Sequence, residues 1–351
     1  MLISVIVPCF NAQRTLGACL ESLVAQELAG ADFEVIAVDD GSTDQSLEIA
    51  ARFGCQTIGN PKNMGPGVAR NLGAARARGE ILAFTDSDCI VPRDWLAKIL
   101  AHFGNAEVAA VWGGYSGSVR KTAIEEFAFL ECLHRQTQLD FHLELSSTSN
   151  FACRKSAFAR VGGFPQYALW WHDPRERPFW GNEDMDIAYL LYREFPGGMV
   201  WDGDNGVRHH FRPTLWKYCQ QQAFFASASA VSYAVFPQLR QVGSGAGRQS
   251  ALLQLASTLP LGLLVLAGQW PALLAAPLLS LLAVPLLNCR FFTVARQRGK
   301  GRSDLVRFAF YLLARNLAWG AGSARGVVWG IGALIGRTSN QTARIASSPS
   351  R

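Results

Sequence analysis

The apolar run ILAF (81–84) leads through Thr85 to Asp86 and Asp88, two carboxylates one residue apart at the end of what reads as a buried strand. A carboxylate removed from water is costly unless a cation meets it. Other acids stand in similar places. Asp39 and Asp40 close the stretch FEVIAV, and Glu183, Asp184 and Asp186 open a helical pattern in GNEDMDIAYLLYREF (181–195). Oxygen ligands of this kind suit Mg²⁺ or Mn²⁺, held by one or two carboxylates and completed by substrate phosphates. The chemistry indicated is metal-assisted, with a nucleotide diphosphate completing the shell. An Asp-x-Asp turn alone is commonplace, so its weight depends on the elements around it.

Those elements can be read from periodicity. Residues 2–7 are rich in Ile and Val and Pro8 ends the run, which predicts a first strand; Leu16, Leu20, Leu23 and Val24 recur at helical spacing. A second strand is predicted over 33–38, a helix over 46–53 and a short strand over 55–58. A Gly-led helix follows over 65–79, then the strand 81–85. Strand and helix alternating in this way predict an α/β fold with a doubly wound, mixed or parallel sheet. Ligands of such sheets bind at the carboxyl ends of the strands, where Asp39, Asp40, Asp86 and Asp88 all fall. From about 110 to 248 the pattern is less regular, with a Trp- and Pro-rich stretch (167–186) of the kind that forms lids or acceptor sites.

The charge is unevenly spread. Residues 1–248 carry 22 Lys/Arg against 26 Asp/Glu, whereas residues 249–351 carry 11 against the single acid Asp304. A basic segment beside apolar runs points to anionic lipid rather than nucleic acid. Zinc-finger spacing and basic stripes with interleaved aromatics are absent from the front part, so no nucleic-acid partner is expected. The eight cysteines form no CxxC pair and read as reduced, mostly buried small hydrophobes. The N-terminus lacks a basic n-region and reads as a strand rather than a signal peptide. Gln249–Cys289 is 41 residues long without Asp, Glu, Lys, Arg or His. As helix it would span about 60 Å, twice a hydrocarbon core of about 30 Å. Two transmembrane helices joined at 268–271 are therefore expected. The positive-inside rule puts both ends of the pair in the cytoplasm. The expected division is a catalytic domain over 1–235 and a linker over 236–248, then the hairpin over 249–289. A basic cytoplasmic loop over 290–307 comes next. Residues 308–336 are read as an amphipathic or re-entrant segment or a third membrane helix, and 337–351 as a basic flexible tail. The implied location is the inner membrane, multi-pass, with the catalytic domain cytoplasmic.

Four motifs occur in order: SVIVPCFN, VDDGSTD, NMGPGVARNLGAARARGEILAFTDSD and GNEDMD. Together, over roughly residues 2–215, they resemble a family 2 glycosyltransferase with the GT-A fold. The resemblance implies a sheet that binds a nucleotide-sugar, with a divalent metal (Mg²⁺ or Mn²⁺) bridging its diphosphate to the Asp-x-Asp motif. Carried over by position, Pro8 and the loop to Asn11 would line the nucleotide pocket. Asp40 would accept from the base, most plausibly the N3–H of uracil, with Asp39 supporting the turn. Arg70 would approach the nucleotide or its phosphates, Asp86 the sugar or ribose, and Asp88 would bind the metal. Asp184 would be the general base, with Glu183 as the alternative, although capping and dipole compensation account for acids in a first helical turn equally well. Asn150 would mark the donor and acceptor segment TSNFACRKSAFARVGGFP (148–165). A downstream histidine, His210 in preference to His209, is a candidate metal or diphosphate ligand, and local packing is the blander reading of the pair.

The chain departs from the processive members of that family, which carry a Q-x-x-R-W box. Its nearest stretch, QQQAFF (220–225), lacks both Arg and Trp, which favours transfer of a single sugar over polymer synthesis. The expected activity is inverting transfer from a nucleotide-sugar, UDP-sugar favoured, to a membrane-associated acceptor. A polyprenyl phosphate, a lipid-linked saccharide or a glycan precursor would fit. A metal-dependent nucleotidyltransferase and a non-catalytic nucleotide-binding membrane scaffold are the alternatives. Sugar, acceptor and homo-oligomerisation stay open at this level.

Overall fold

The computed structural model describes residues 1–136, 147–165, 183–235 and 288–346, with side chains except those of 231–235 and 329–346. The chain divides into two compact units. One comprises Met1–Val119 and Leu139–His210, the other Arg120–Gln138 and Phe211–Arg351. This division differs from the expected boundary at 235, because 120–136 and 211–235 group with the C-terminal helices.

The first unit is built on strands β1 (Leu2–Cys9), β2 (Asp32–Asp39), β3 (Gln56–Gly59) and β4 (Ile81–Thr85). β1 runs parallel to β2 and β4, and β2 parallel to β3. Helices α1 (Leu16–Val24), α2 (Ser46–Arg52) and α3 (Pro66–Arg76) lie between these strands in sequence. The strand–helix alternation read from the sequence therefore holds. β1 runs one residue beyond Pro8. Its pairing with β4 ends at Ile6, so the missing N–H of Pro8 interrupts no ladder there.

Four further strands turn the sheet mixed: β5 (Cys89–Ile90), β6 (Ala110–Ser118), β7 (Asn150–Arg154) and β8 (Met199–His209), accompanied by α4 (Trp95–His102), α6 (Lys155–Arg160) and α7 (Glu183–Glu194). The strand order is β3-β2-β1-β4-β7-β6-β8-β5. β7 is antiparallel to both β4 and β6, and β5 is antiparallel to β8. One sheet face packs Ile3, Val5 and Val7 with Leu16, Leu20 and Trp95. The other stacks aromatics, with Phe151 between Phe84 (5.4 Å) and Trp112 (4.5 Å) and Phe164 edge-on to Phe84.

The second unit is helical: α5 (Ala123–Gln136), α8 (Leu215–Val235), α9 (Cys289–Gln297) and α10 (Arg302–Ala346). The ring of Phe127 meets Tyr218, Phe291, Phe308 and Tyr311. Glu131 accepts from both Tyr218 and Arg315, and Lys300 pairs with Glu126 at 2.6 Å. The linker over 236–248 and the expected hairpin over 249–289 lie, but for Asn288 and Cys289, outside the described residues. Among the described residues no helix is long and apolar enough to cross a membrane. The stretch expected as a basic loop is largely helix, in α9 and the first turns of α10. α10 also runs on through 337–346, which the sequence suggested as tail.

α3 sits close on the sheet because residue 73 is glycine. A Cβ there would lie 2.5 Å from Ile6 Cγ2 and 3.0 Å from Val38 Cγ2. Gly73→Val should lower stability by about 1–3 kcal/mol, the usual cost of overpacking, read as a lower urea midpoint.

Candidate active site

Arg70 organises the acids. It lies on α3 with 3% of its surface exposed. Its Nη2 donates to Asp86 Oδ1 at 2.7 Å, and its Nη1 faces Glu183 Oε1 at 3.4 Å and Asp184 Oδ1 at 3.7 Å. The guanidinium also lies over the Phe164 ring, 5.4 Å from its centroid. That ring is held because Asn71 bonds both the carbonyl and the N–H of Phe164. Beside them Gly163 has φ +73°, and a Cβ there would strike Asn71 Oδ1 at 2.6 Å. Arg70 is therefore enclosed by these groups rather than solvated. One strand end (Asp86) and one helix start (Glu183, Asp184) meet at a single buried cation.

Three carboxylates against one guanidinium leave negative charge in excess. Burial raises the Glu183 carboxyl, and neighbouring Asp184 raises it further. Burial likewise raises Asp184, although Arg70 and a hydrogen bond from Thr148 pull it back. Burial alone would lower Arg70, but Asp86, Asp184 and Glu183 together hold it charged. The Thr148 hydroxyl donates to Asp184 Oδ1, so this buried threonine fixes the carboxylate. Sequence reading missed Thr148; an unremarkable TS pair gives no signal of a partner 36 residues away.

Asp88 meets a histidine, but not the one preferred from the sequence. His209 Nε2 lies 3.3 Å from Asp88 Oδ1, while His210 contributes its backbone N–H to the Asp88 carbonyl at 3.0 Å. The cause is register. β5 pairs with β8 so that Cys89 stands opposite His209, the last residue of β8. Tyr115 packs on the His209 ring at 5.3 Å. Asp88, Cys89 and His209 together have metal-ligand spacing. Cys89 is fully buried and its thiol is pushed well up by burial, then by Asp88, so the usable donors are a carboxylate and an imidazole. That pair fits Mn²⁺ better than Mg²⁺, which prefers oxygen alone.

The remaining candidates hold the strand ends. Asp40 Oδ1 accepts from Asn60 Nδ2 (2.7 Å) and Met64 N (3.0 Å), and its Oδ2 from Gly65 N (2.7 Å). It is thus the clamp on the 60–65 loop ahead of α3, buried to 3% exposure, rather than an open acceptor for a base. Asp39 accepts from Ser42 N at 3.1 Å, the turn-supporting role expected of it. Asn11, at φ +49°, accepts from Thr43 N at 2.9 Å and ties the loop after β1 to the loop after β2. Pro8 is buried in β1. Asn150 is buried and held within the sheet. Its Oδ1 accepts from Trp95 Nε1 (2.8 Å), and its Nδ2 donates to the carbonyls of Gly114 (3.0 Å) and Asn205 (2.5 Å).

A parallel α/β half extended by antiparallel strands, with an acid cluster at the strand ends, defines a GT-A-like fold of the kind that handles nucleotide-sugars. Residues 4–162 match the model of glycosyl transferase family 2, and the chain carries a family 2 glycosyltransferase domain. Among curated relatives, glycosyltransferase AglE of Haloferax volcanii is 26% identical over 196 residues, 54% of this chain and 63% of that protein. The pre-mycofactocin glycosyltransferase of Mycobacterium tuberculosis is 26% identical over 283 residues, 72% of this chain and 55% of that protein. The chain thus spans little more than half the length of these relatives. A solved mannosyltransferase from Pyrobaculum calidifontis, in complex with GDP-Man and Mn²⁺, shares the fold at a TM-score of 0.54 and 18% identity. That match covers 89% of this chain and 85% of the other.

Replacing Asn150 with alanine should behave as a core lesion. Stranding the Trp95 N–H and two carbonyls is expected to cost at least about 1–3 kcal/mol. Thermal unfolding should shift down while nucleotide affinity of the folded fraction stays at the wild-type value.

Proposed function

We propose that the protein transfers a single sugar, with inversion, from a nucleotide-sugar to a hydroxyl or phosphate of a membrane-associated acceptor. UDP-sugar is the first donor to test; the GDP-Man bound by the Pyrobaculum calidifontis mannosyltransferase makes GDP-sugar the second. The observation that carries the reading is the convergence of Asp86, Glu183 and Asp184 on Arg70 at the carboxyl end of β4, where α/β sheets bind their ligands. Membrane association of the acceptor is supported by the excess of 11 basic residues over one acid in 249–351.

Asp88 and His209 would hold a divalent cation, Mn²⁺ by the chemistry of the pair. When bound, such an ion neutralises charge developing on the departing diphosphate. The rest falls to the chain's own groups. Asp184, oriented by Thr148, accepts the acceptor proton as the new glycosidic bond forms and the bond to the diphosphate breaks. Arg70 keeps Asp184 in place and offsets its charge. Glu183, held protonated to higher pH than an ordinary carboxyl, leaves Asp184 as the base. The surrounding thiols stay protonated. Cys9 is pushed up to about 12 by burial and then by Asp39, so no cysteine nucleophile competes.

The pH dependence follows from the sign of the shifts. A base whose carboxyl is raised is ionised only above that raised value, so kcat/KM should fall as pH drops, beginning above the ordinary carboxylate range. Glu183→Gln should leave this acid limb in place, because a Glu183 carboxyl that is itself protonated there carries no charge for the substitution to remove. Asp184→Asn should reduce transfer by about 10²–10⁴-fold, the usual worth of a general base, with donor binding retained. A wild-type rate in Asp184→Asn would exclude this residue as the base.

Metal dependence offers a separate check. His209→Ala should raise the Mn²⁺ concentration for half-maximal activity at least about tenfold, a loss that even an outer partner of a metal ligand can cause. His210→Ala should leave it unchanged, and the reverse pattern would return the role to His210.

A further inference from the structure

α10 carries apolar side chains on its outward face as well as its inward one. Val306, Phe310, Leu313, Leu317, Ala324 and Val328 follow one another at helical spacing and share one face, a continuous apolar stripe of about 33 Å at 1.5 Å per residue. This face is open: Val306 is 73% exposed, Phe310 58% and Val328 67%. The opposite face is packed: its first turns bury Phe308 and Leu312, and its later turns hold polar groups. Arg315 reaches Glu131 and donates to Asn316 Oδ1 at 3.0 Å. Trp319 Nε1 donates to Gln222 Oε1 at 2.7 Å, and Arg325 Nε to Ser227 Oγ at 3.0 Å. Ser227 in turn donates to the Gly322 carbonyl at 2.8 Å. Gly322 and Gly326, one turn apart, bring the backbones of α8 and α10 together; a Cβ on Gly326 would lie 2.5 Å from the Ser227 carbonyl.

In water such an open apolar face is unfavourable, because burial of apolar groups is what stabilises packing there. In lipid the driving force between helices is small-residue packing and interhelical hydrogen bonds, while apolar side chains face the acyl chains. The exposed basic residues Arg290, Arg296, Arg298, Arg302 and Arg307 cluster before and at the start of the stripe, where anionic head groups would meet them. The uncharged run 249–289 leads directly into this region. We propose that the outward stripe of α10, over residues 306–328, contacts the hydrocarbon of an anionic bilayer, with the arginines before it on the head groups. This deepens the membrane part of the proposed function. It rests on the second unit's own geometry, so lipid contact and sugar transfer can fail separately.

The test uses the full chain in vesicles of phosphatidylcholine and phosphatidylglycerol. A fluorescent amino acid replaces Phe310, Leu317 or Val328, or as a reference Ser303, one variant at a time. The three stripe positions should lose most of their emission to nitroxide-labelled lipids and little to aqueous iodide, with Ser303 showing the opposite pattern. Iodide quenching along the stripe would overturn the proposal. Protection from both quenchers would also overturn it, since the stripe would then be covered by protein, either the chain's own apolar run or a second copy. Donor turnover on the same samples reads the first unit, so a folded, active protein with an iodide-quenched stripe sinks lipid contact alone.

Discussion

A single guanidinium set among three carboxylates is the constraint on which the first unit turns. Arg70 is almost wholly buried and cannot shed its charge, so Asp86, Glu183 and Asp184 must stay near it. Removing one partner of such a group is far costlier than the pair is worth, because a buried charge is left uncompensated. α3, the end of β4 and the start of α7 are therefore tied to one point although they are far apart in the chain. Burial at that point has a second consequence: it raises the carboxyls of Glu183 and Asp184, with neighbouring acids adding to it, which prepares Asp184 to accept a proton.

Around that point, polar groups that look functional in sequence divide into those that face the crevice and those that build its walls. Asp40 and Asn150 are walls. Asp40 takes three donors and fixes the loop that launches α3, and Asn150 satisfies a buried indole N–H and two strand carbonyls. Asp86, Asp88, Asp184 and His209 retain some exposure, the first and third meeting at Arg70 and the other two meeting each other. The pairing of β5 with β8 sets the last of these contacts, since a slip of one residue would exchange His209 for His210 beside Asp88.

The helical unit follows a different rule. Its interior holds Glu131, Arg315, Gln222 and Ser227, and much of its outward surface on α10 is apolar. Among the described residues no helix is long and apolar enough to cross a membrane, yet α10 carries an exposed apolar stripe. An average over all faces hides a stripe that the packing makes visible.

Local pattern was enough to recover the alternation of the first four strands with their helices, the position of the acids at the strand ends and the family resemblance. Each of these rests on short-range periodicity and contiguous motifs. The strands β6, β7 and β8 were not legible, since they pack on both faces or bend at bulges and lack a clean alternation. Nor were the partners: Thr148 for Asp184, Phe164 for Arg70, His209 rather than His210 for Asp88. These contacts join residues up to 121 positions apart, and their identity depends on strand register and helix rotation, which exist only once the chain has packed. Residue type along the chain specifies what chemistry is available; which side chains share it is settled by burial and register in three dimensions.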